Sequence, residues 1–347
     1  MSADAMSGLD NKDARPRAVV MADVAKLAGV SHQTVSRVIN DSPHVRSNTR
    51  ERVEDAMRKL GYRPNPVARA LVTGRSRTLG VVSFDTTLYG PASTLFGIER
   101  AAHDAGYFVS IVSLRELTRS SVLSAVERLR HQGVDGILVI APQESATQAV
   151  LHLPDDVPVV ASEAAPEDSV PLVAIDQVEG ARLATGHLLD HGHRTVWHIS
   201  GPHDWLEAQD RIAGWRATLE AAGAAAPPVL RGDWSPSSGY LLGRELAADP
   251  EVTAVFAAND QMALGLVRAL HEAGRRIPAD ISVVGFDDIP EAAYFTPPLT
   301  TVRQNFNEIG RRSLLLLLER IESGGRDPVR EIVAPELVVR ASSGRAG

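Results

Sequence analysis

DVAKLAGVSHQTVSRVIN, residues 23–40, sets a short polar cluster, Ser-His-Gln-Thr, between two apolar segments. The first segment places Val24, Leu27 and Ala28 on one face of a helix over 21–28, which Gly29 ends. Ser31 is placed to cap a second helix by accepting a bond from a first-turn amide that lacks a partner inside the helix. Val35, Val38 and Ile39, at i, i+3 and i+4, commit one side of that helix to a core. Ser47 is placed to cap a third helix that turns Val53, Ala56, Met57 and Leu60 inward. Two short helices joined by a glycine-containing turn form the helix-turn-helix pattern.

With that core assigned, His32, Gln33, Ser36, Arg37 and Asn40 point outward beside a capped helix N-terminus. Such a face can reach base edges with side chains while amides and hydroxyls hold phosphates. Arg37 can pair bidentately with guanine and Gln33 with adenine. A plain three-helix bundle also has a polar exterior, so charge helps to separate the readings. The window 19–77 holds 11 Lys/Arg against 5 Asp/Glu, about +6, in a chain of net charge −7. The remainder is therefore about −13, and a basic head on an acidic body suits a polyanion at the head alone.

After the head comes NPVARALVTG, residues 65–74, with Asn65 as cap, Pro66 at the first helical position and Gly74 at the end. A helix of about eight residues is marginal alone in water, so this one is expected to form against a partner.

From Thr78 onward, near-continuous apolar strands alternate with amphipathic helices. TLGVVSF, YFVSIV, VDGILVI and VPVVA form one series, with helices near 92–105 and 118–132. TVWHIS, AVFAA and ISVVGF form a second, with helices near 178–191, 205–222, 236–248 and 260–274. This pattern predicts parallel sheets covered on both faces, in two Rossmann-like subdomains with a ligand cleft between them.

Several function classes are excluded. The chain has no cysteine, hence no disulfide or thiolate site. The start, MSADAMSGLDNKDARPR, lacks a signal-peptide core, and the leucine run 314–318 is too short to span a bilayer. A cytoplasmic protein with no membrane partner is expected. There is no GxxxxGK[ST] loop and no GxSxG elbow. Asp287 and Asp288 are adjacent and so face different ways, which makes them poor acid–base partners. His187 and His191 have metal-ligand spacing without the glutamate of a zinc-protease helix. No enzyme, cofactor or metal is expected.

The head, DVAKLAGVSHQTVSRVIN followed by TRERVEDAMRKLGYRPNPVARAL, resembles the lactose-repressor family of bacterial transcription regulators. So does the body, through HLLDHGHRTVWHISGP, RIAGW, GDWS, AANDQMALG, ISVVGFDD, PPLTTVRQNF and PELVVRASS. The resemblance is nearest the lactose and galactoside-type members, by LYGPASTL and Trp234.

For the head, the resemblance implies that His32, Gln33 and Arg37 read bases, while Ser31, Thr34, Ser36, Asn40 and His44 lie at or near the DNA backbone. It implies hinge helices that enter the minor groove, with Leu71 as a wedge, Ala68 facing the groove and Asn65 near the backbone. For the body, it implies a fold of the periplasmic-binding-protein type. Arg211, Asn259 and Asp287 would grip an effector, Trp234 would pack on a sugar ring, and Gln304 and Phe306 would line the cleft.

The expected organisation is a disordered tail over 1–18, a DNA-binding domain over 19–64, and a hinge helix with linker over 65–77. An effector-binding and dimerisation domain follows over 78–340, and 341–347 forms a tail. The N-subdomain spans about 78–175 and 304–333; the C-subdomain spans about 176–303 and 334–340. The expected partners are double-stranded operator DNA, a small sugar and a second copy of the chain. Without a C-terminal leucine heptad, a dimer is expected rather than a tetramer. A solute-binding module, or a regulator that answers a purine or other non-sugar effector, is the alternative.

Overall fold

The computed structural model describes residues 19–40, 42–63, 70, 74–114, 116, 118–140, 142–154, 156–163, 170–325 and 327–347, with 146–148 as backbone only. The chain divides into two compact units, 1–76 and 77–347.

In the first unit, helices α1 (Met21–Ala28), α2 (His32–Ile39) and α3 (Ser47–Leu60) enclose a small core of Val24, Ala25, Ala28, Val35, Val38, Val53 and Ala56. Gly29 ends α1 and Gly61 ends α3, both with the left-handed backbone that glycine adopts without strain. Two sequence expectations change. Leu27 is 52% exposed and Ala25 takes the buried place, because α1 meets its neighbours along the 24–25–28 stripe. Ser47 is the first residue of α3, and the N-cap, Arg46, makes no side-chain bond.

The second unit holds two six-stranded sheets. The first contains β1 (Thr78–Phe84), β2 (Phe108–Leu114), β3 (Gly136–Ile140), β4 (Val159–Ser162), β5 (Leu172–Ile175) and β11 (Arg330–Val333), in the order β11-β5-β4-β3-β1-β2, all parallel. The second contains β6 (Trp197–Ser200), β7 (Leu230–Arg231), β8 (Ala254–Ala257), β9 (Ser282–Asp287), β10 (Thr300–Arg303) and β12 (Glu336–Val338), in the order β12-β10-β9-β8-β6-β7, with β12 antiparallel. The chain passes from one sheet to the other after β5, after β10 and after β11.

Helices α4 (Tyr89–Asp104), α5 (Arg119–His131), α6 (Glu144–Val150) and α11 (Phe306–Ser323) serve the first sheet. Helices α7 (Gln177–Asp190), α8 (Leu206–Ala221), α9 (Pro236–Ala248) and α10 (Asp260–Glu272) serve the second. The α9–α10 contact is close because Gly265 lacks a Cβ, which would fall 1.9 Å from the Pro236 carbonyl oxygen. That contact brings the loops before α9 and α10 together.

The segment 341–347, read as a tail, packs on the second sheet. Ser342 is fully buried, accepts from the Thr300 amide at 2.7 Å and donates to the Val283 carbonyl at 2.7 Å. Its small residues fit against the strand backbones, a contact with no apolar pattern to announce it. Among the described residues, no helix is long and apolar enough to cross a membrane.

Candidate functional site

Two polar sites stand out, one in each unit. On the head, Ser31 caps α2 by accepting from the Thr34 amide at 3.1 Å, and the two hydroxyls meet at 2.9 Å. His32, Gln33, Arg37 and His44 are exposed, whereas Thr34, Ser36 and Asn40 are half-buried. Asn40 donates through its Nδ2 to the Ser36 hydroxyl at 3.4 Å, and its buried Oδ1 has no partner among the described residues. Arg52 ties α3 to the end of α1 through the Ala28 carbonyl. The exposed face therefore stands on a framework held by bonds it does not itself make. Asn65, Ala68 and Leu71 lie outside the described residues.

In the second unit, a cleft of about 220 Å³ opens beyond the C-terminal ends of β1, β6, β7, β8, β9 and β10. This is where ligands bind in open α/β sheets. Its walls are residues 87–91, at the start of α4 beside the first sheet, and Trp205, Glu207, Arg211, Asp233, Trp234, Asn259 and Asp287 from the second; Gln304, just past β10, joins them.

The hub is Arg211, 2% exposed. It donates from Nε to Gln177 at 2.8 Å and from Nη1 to the Ala258 carbonyl. Its Nη2 lies 3.6 Å from Glu207, and its guanidinium sits 4.0 Å over the Phe286 ring. Gln177 passes the chain to Gln304 at 2.8 Å, and Gln304 donates to Asp287 at 2.6 Å. Burial pushes Asp287 up to about 7, while the Arg211 charge and the Gln304 bond pull it down and Glu207 pushes it up. A carboxyl so placed can donate or accept near neutral pH.

Trp234 and Trp205 form the aromatic corner, with ring centroids 5.5 Å apart at 71°. A Cβ at Gly201 would fall 2.1 Å from the Trp234 ring, so this glycine makes the ring's seat. Trp234 and Asp287 both hold positive φ, 71° and 112°, a strained backbone of the sort that collects at binding sites.

Two expected ligand residues have other work. Asn259 accepts from the Met262 amide at 2.8 Å as the cap of α10 and donates to the Trp234 carbonyl at 3.1 Å, so it holds the Trp234 loop in place. Phe306 packs edge-on to Tyr89 at 5.7 Å, in the core of the first sheet, and lines a cavity that shares Tyr89, Asp287 and Gln304 with the cleft. Residues 88–91, at the start of α4, and Trp205 reach the cleft, and Trp215 lies in the core, donating to the Val196 carbonyl at 2.8 Å. Asp288 faces away from Asp287, toward Arg303 at 2.7 Å and Arg340 at 2.6 Å.

Sequence reasoning missed Gln177, Glu207 and Asp233. For Glu207 the signal was its place four residues before Arg211 on one helix face. Among the described residues, no group of three His, Cys, Asp or Glu could hold a metal, and His187 instead meets the Ser343 hydroxyl at 2.8 Å.

Residues 20–65 match the family described as bacterial regulatory proteins, lacI family, and residues 185–343 match a periplasmic binding protein-like domain. The lactose operon repressor of Escherichia coli (strain K12) is 36% identical over 303 residues, 87% of this chain and 84% of that one. The chain belongs to the LacI family.

Two further relatives of this LacI-family regulator carry the match almost end to end. CelR of Thermobifida fusca is 37% identical, over 94% of this chain and 99% of its own. PurR of Haemophilus influenzae (strain ATCC 51907 / DSM 11121 / KW20 / Rd) is 35% identical, over 92% and 97%. The solved lac repressor dimer bound to operator and the anti-inducer ONPF is 33% identical, with a TM-score of 0.85 over 94% of this chain and 100% of that one. The LacI-family chain is thus a DNA-binding transcriptional regulator with an effector-binding domain. Its matched relatives are regulators, not enzymes.

Proposed function

We propose that this regulator is a repressor that binds a two-fold operator as a homodimer, with its operator affinity controlled by a small sugar of the galactoside kind. The observation that carries the sugar reading is the Trp205–Trp234 corner beside the Asp287–Gln304–Gln177–Arg211 chain. A sugar offers an apolar C–H face to an aromatic ring and hydroxyls to carboxylate and carboxamide groups. Relatives named lactose operon repressor and CelR, the latter solved as a cellobiose complex, support the same class. An aromatic corner also stacks a flat base, so a purine is the second reading.

In this reading His32, Gln33 and Arg37 contact base edges, and Ser31, Thr34, Ser36, Asn40 and His44 contact phosphates. Ala68 and Leu71 serve the minor groove, with Asn65 near the DNA backbone. Dimerisation is supported by Phe96 on α4 and by Phe108 and Ile111 on the edge strand β2, which are 60%, 73% and 48% exposed. Effector in the cleft favours one arrangement of the two subdomains, which alters how the paired heads meet the duplex. It does so through a coupling of typically about 1–3 kcal/mol and only through unequal affinity for the two states.

The test is a thermal-shift screen of galactosides, β-glucosides and purines. It is followed by selection of bound duplexes from a random pool, with and without each hit. At least one neutral sugar should raise the melting temperature and change duplex affinity. A protein that prefers no duplex sequence over random competitor, with or without small compounds, would sink this reading.

A further inference from the structure

We infer that the cleft rejects negative charge and that Glu207 sets this preference, so that the effector is a sugar without phosphate or carboxylate. The inference rests on the cleft being the effector site and narrows the class of ligand it takes.

Among the described residues, the ionisable acids and bases that line the cavity are Glu207, Asp233 and Asp287 against Arg211. Arg211 has little left to offer an anion. Its Nε and Nη1 are given to Gln177 and the Ala258 carbonyl, its Nη2 faces Glu207, and its plane lies over Phe286. An incoming phosphate would have to displace those partners with the Glu207 carboxylate already within ion-pair reach of the same guanidinium.

The surroundings add to the barrier. Glu163, just beyond β4 in the other sheet, is bonded at one oxygen by the Thr94 hydroxyl at 3.0 Å and, among the described residues, has no partner at the other, buried oxygen. Burial pushes its carboxyl well up, and the charge of Glu207 pushes it further; Arg211 and Asp287 are the other charged groups that act on it. At the rim, Asp233 accepts from the Ser235 amide at 2.9 Å, and the bonds from Ser235 hold it below the usual carboxylate range. Burial also pushes the Glu207 carboxyl up while the Arg211 charge pulls it down, so an anion placed beside these acids would drive them further toward the protonated form instead of pairing with them. A sugar hydroxyl has no such difficulty, since it donates to any of these acceptors.

The test uses the full chain and its Glu207→Gln variant, each at low salt. Quenching of tryptophan fluorescence by iodide, caesium and neutral acrylamide needs no knowledge of the effector. Trp205 and Trp234 line the cleft but are nearly buried, and Trp197 outside it is more exposed, so only the difference between the two proteins reads the field in the cleft. The iodide-to-acrylamide quenching ratio should rise about two-fold in Glu207→Gln, and the caesium ratio should fall. In parallel, galactose is paired with galactose 6-phosphate and lactose with lactobionate. The anionic member of a pair that binds should be ~100-fold weaker in the wild type, since like charges in a binding site cost several kcal/mol. In Glu207→Gln that gap should narrow by about ten-fold. Equal affinity for both members of a pair, or an unchanged iodide ratio in the folded variant, overturns the inference. If no sugar binds, the sugar reading of function falls, while the quenching ratio still decides the charge preference. Should Glu207→Gln fail to fold, Asp233→Asn carries the same quenching measurement.

Discussion

On the head, His32, Gln33 and Arg37 stand exposed, and the nearest fixed bond, between Ser31 and Thr34, spans three residues. In the cleft, Arg211 is bonded to Gln177, 34 positions away, and Gln177 to Gln304, 127 positions away. One polar surface is assembled within a single helix and offers loose side chains to a large, wet partner. The other is knitted from distant segments before any ligand arrives. The contrast teaches where rigidity is placed. A head that reads a duplex adapts its long side chains to groove and backbone, whereas a small cleft discriminates by groups already aligned.

The largest effect should come from the hub. Arg211→Met leaves Glu207 and the carboxamide chain without their partner and should cost ~3–5 kcal/mol of stability, read by urea unfolding. A loss below about 1 kcal/mol, the scale of an exposed ion pair, would erase the distinction between the two surfaces.

Next comes the pH dependence of Asp287, which sits near 7 in the fold against 3.8 for a free aspartate. Below about pH 4 both folded and unfolded chains hold the proton, and the stabilisation is fully present. As pH rises toward 7 the unfolded chain loses its proton first, and that stabilisation is lost. Comparing Asp287→Asn with the wild type from pH 4 to 8 should therefore show a difference that drifts by on the order of a few kcal/mol against the wild type. A flat difference would mean that the carboxyl ionises as freely as an exposed one.

On the head, effects should be smaller and confined to DNA. Arg37→Ala should weaken duplex binding by ~1–3 kcal/mol in a mobility-shift titration and leave the melting temperature and sugar binding alone. Smallest is the cap. Ser31→Ala should cost ~1 kcal/mol of stability, and Ser31→Gly only a few tenths of a kcal/mol. A cap variant that lost as much as Arg211→Met would show the head to be as cross-tied as the cleft.

Much of the architecture was legible. The alternation of apolar strands with amphipathic helices pointed to two parallel sheets, and the strands named from sequence are present. The Ser31 cap and the outward polar side of α2 were legible because both depend on residues at most a few positions apart. Leu27 was misplaced because a helix touching two neighbours can bury any of several adjacent stripes, and periodicity alone does not choose. Phe306 was expected among the residues lining the cleft, and its ring is set by Tyr89 across the α4–α11 contact, which no motif announces. Gln177 and Glu207 carried no motif, and their importance exists only once two sheets bring them to Arg211.

By itself, then, the sequence determined seven of the twelve strands found among the described residues, most of the helices and the residues that α2 turns toward solvent, since helix and strand periods and end caps act over a few positions. Tertiary structure alone decided whether a polar group was free or already spent. Arg211 could have been an open grip for any anion. It is instead bound to its own fold, because strand order and the crossings between sheets bring Gln177, Ala258 and Glu207 to it.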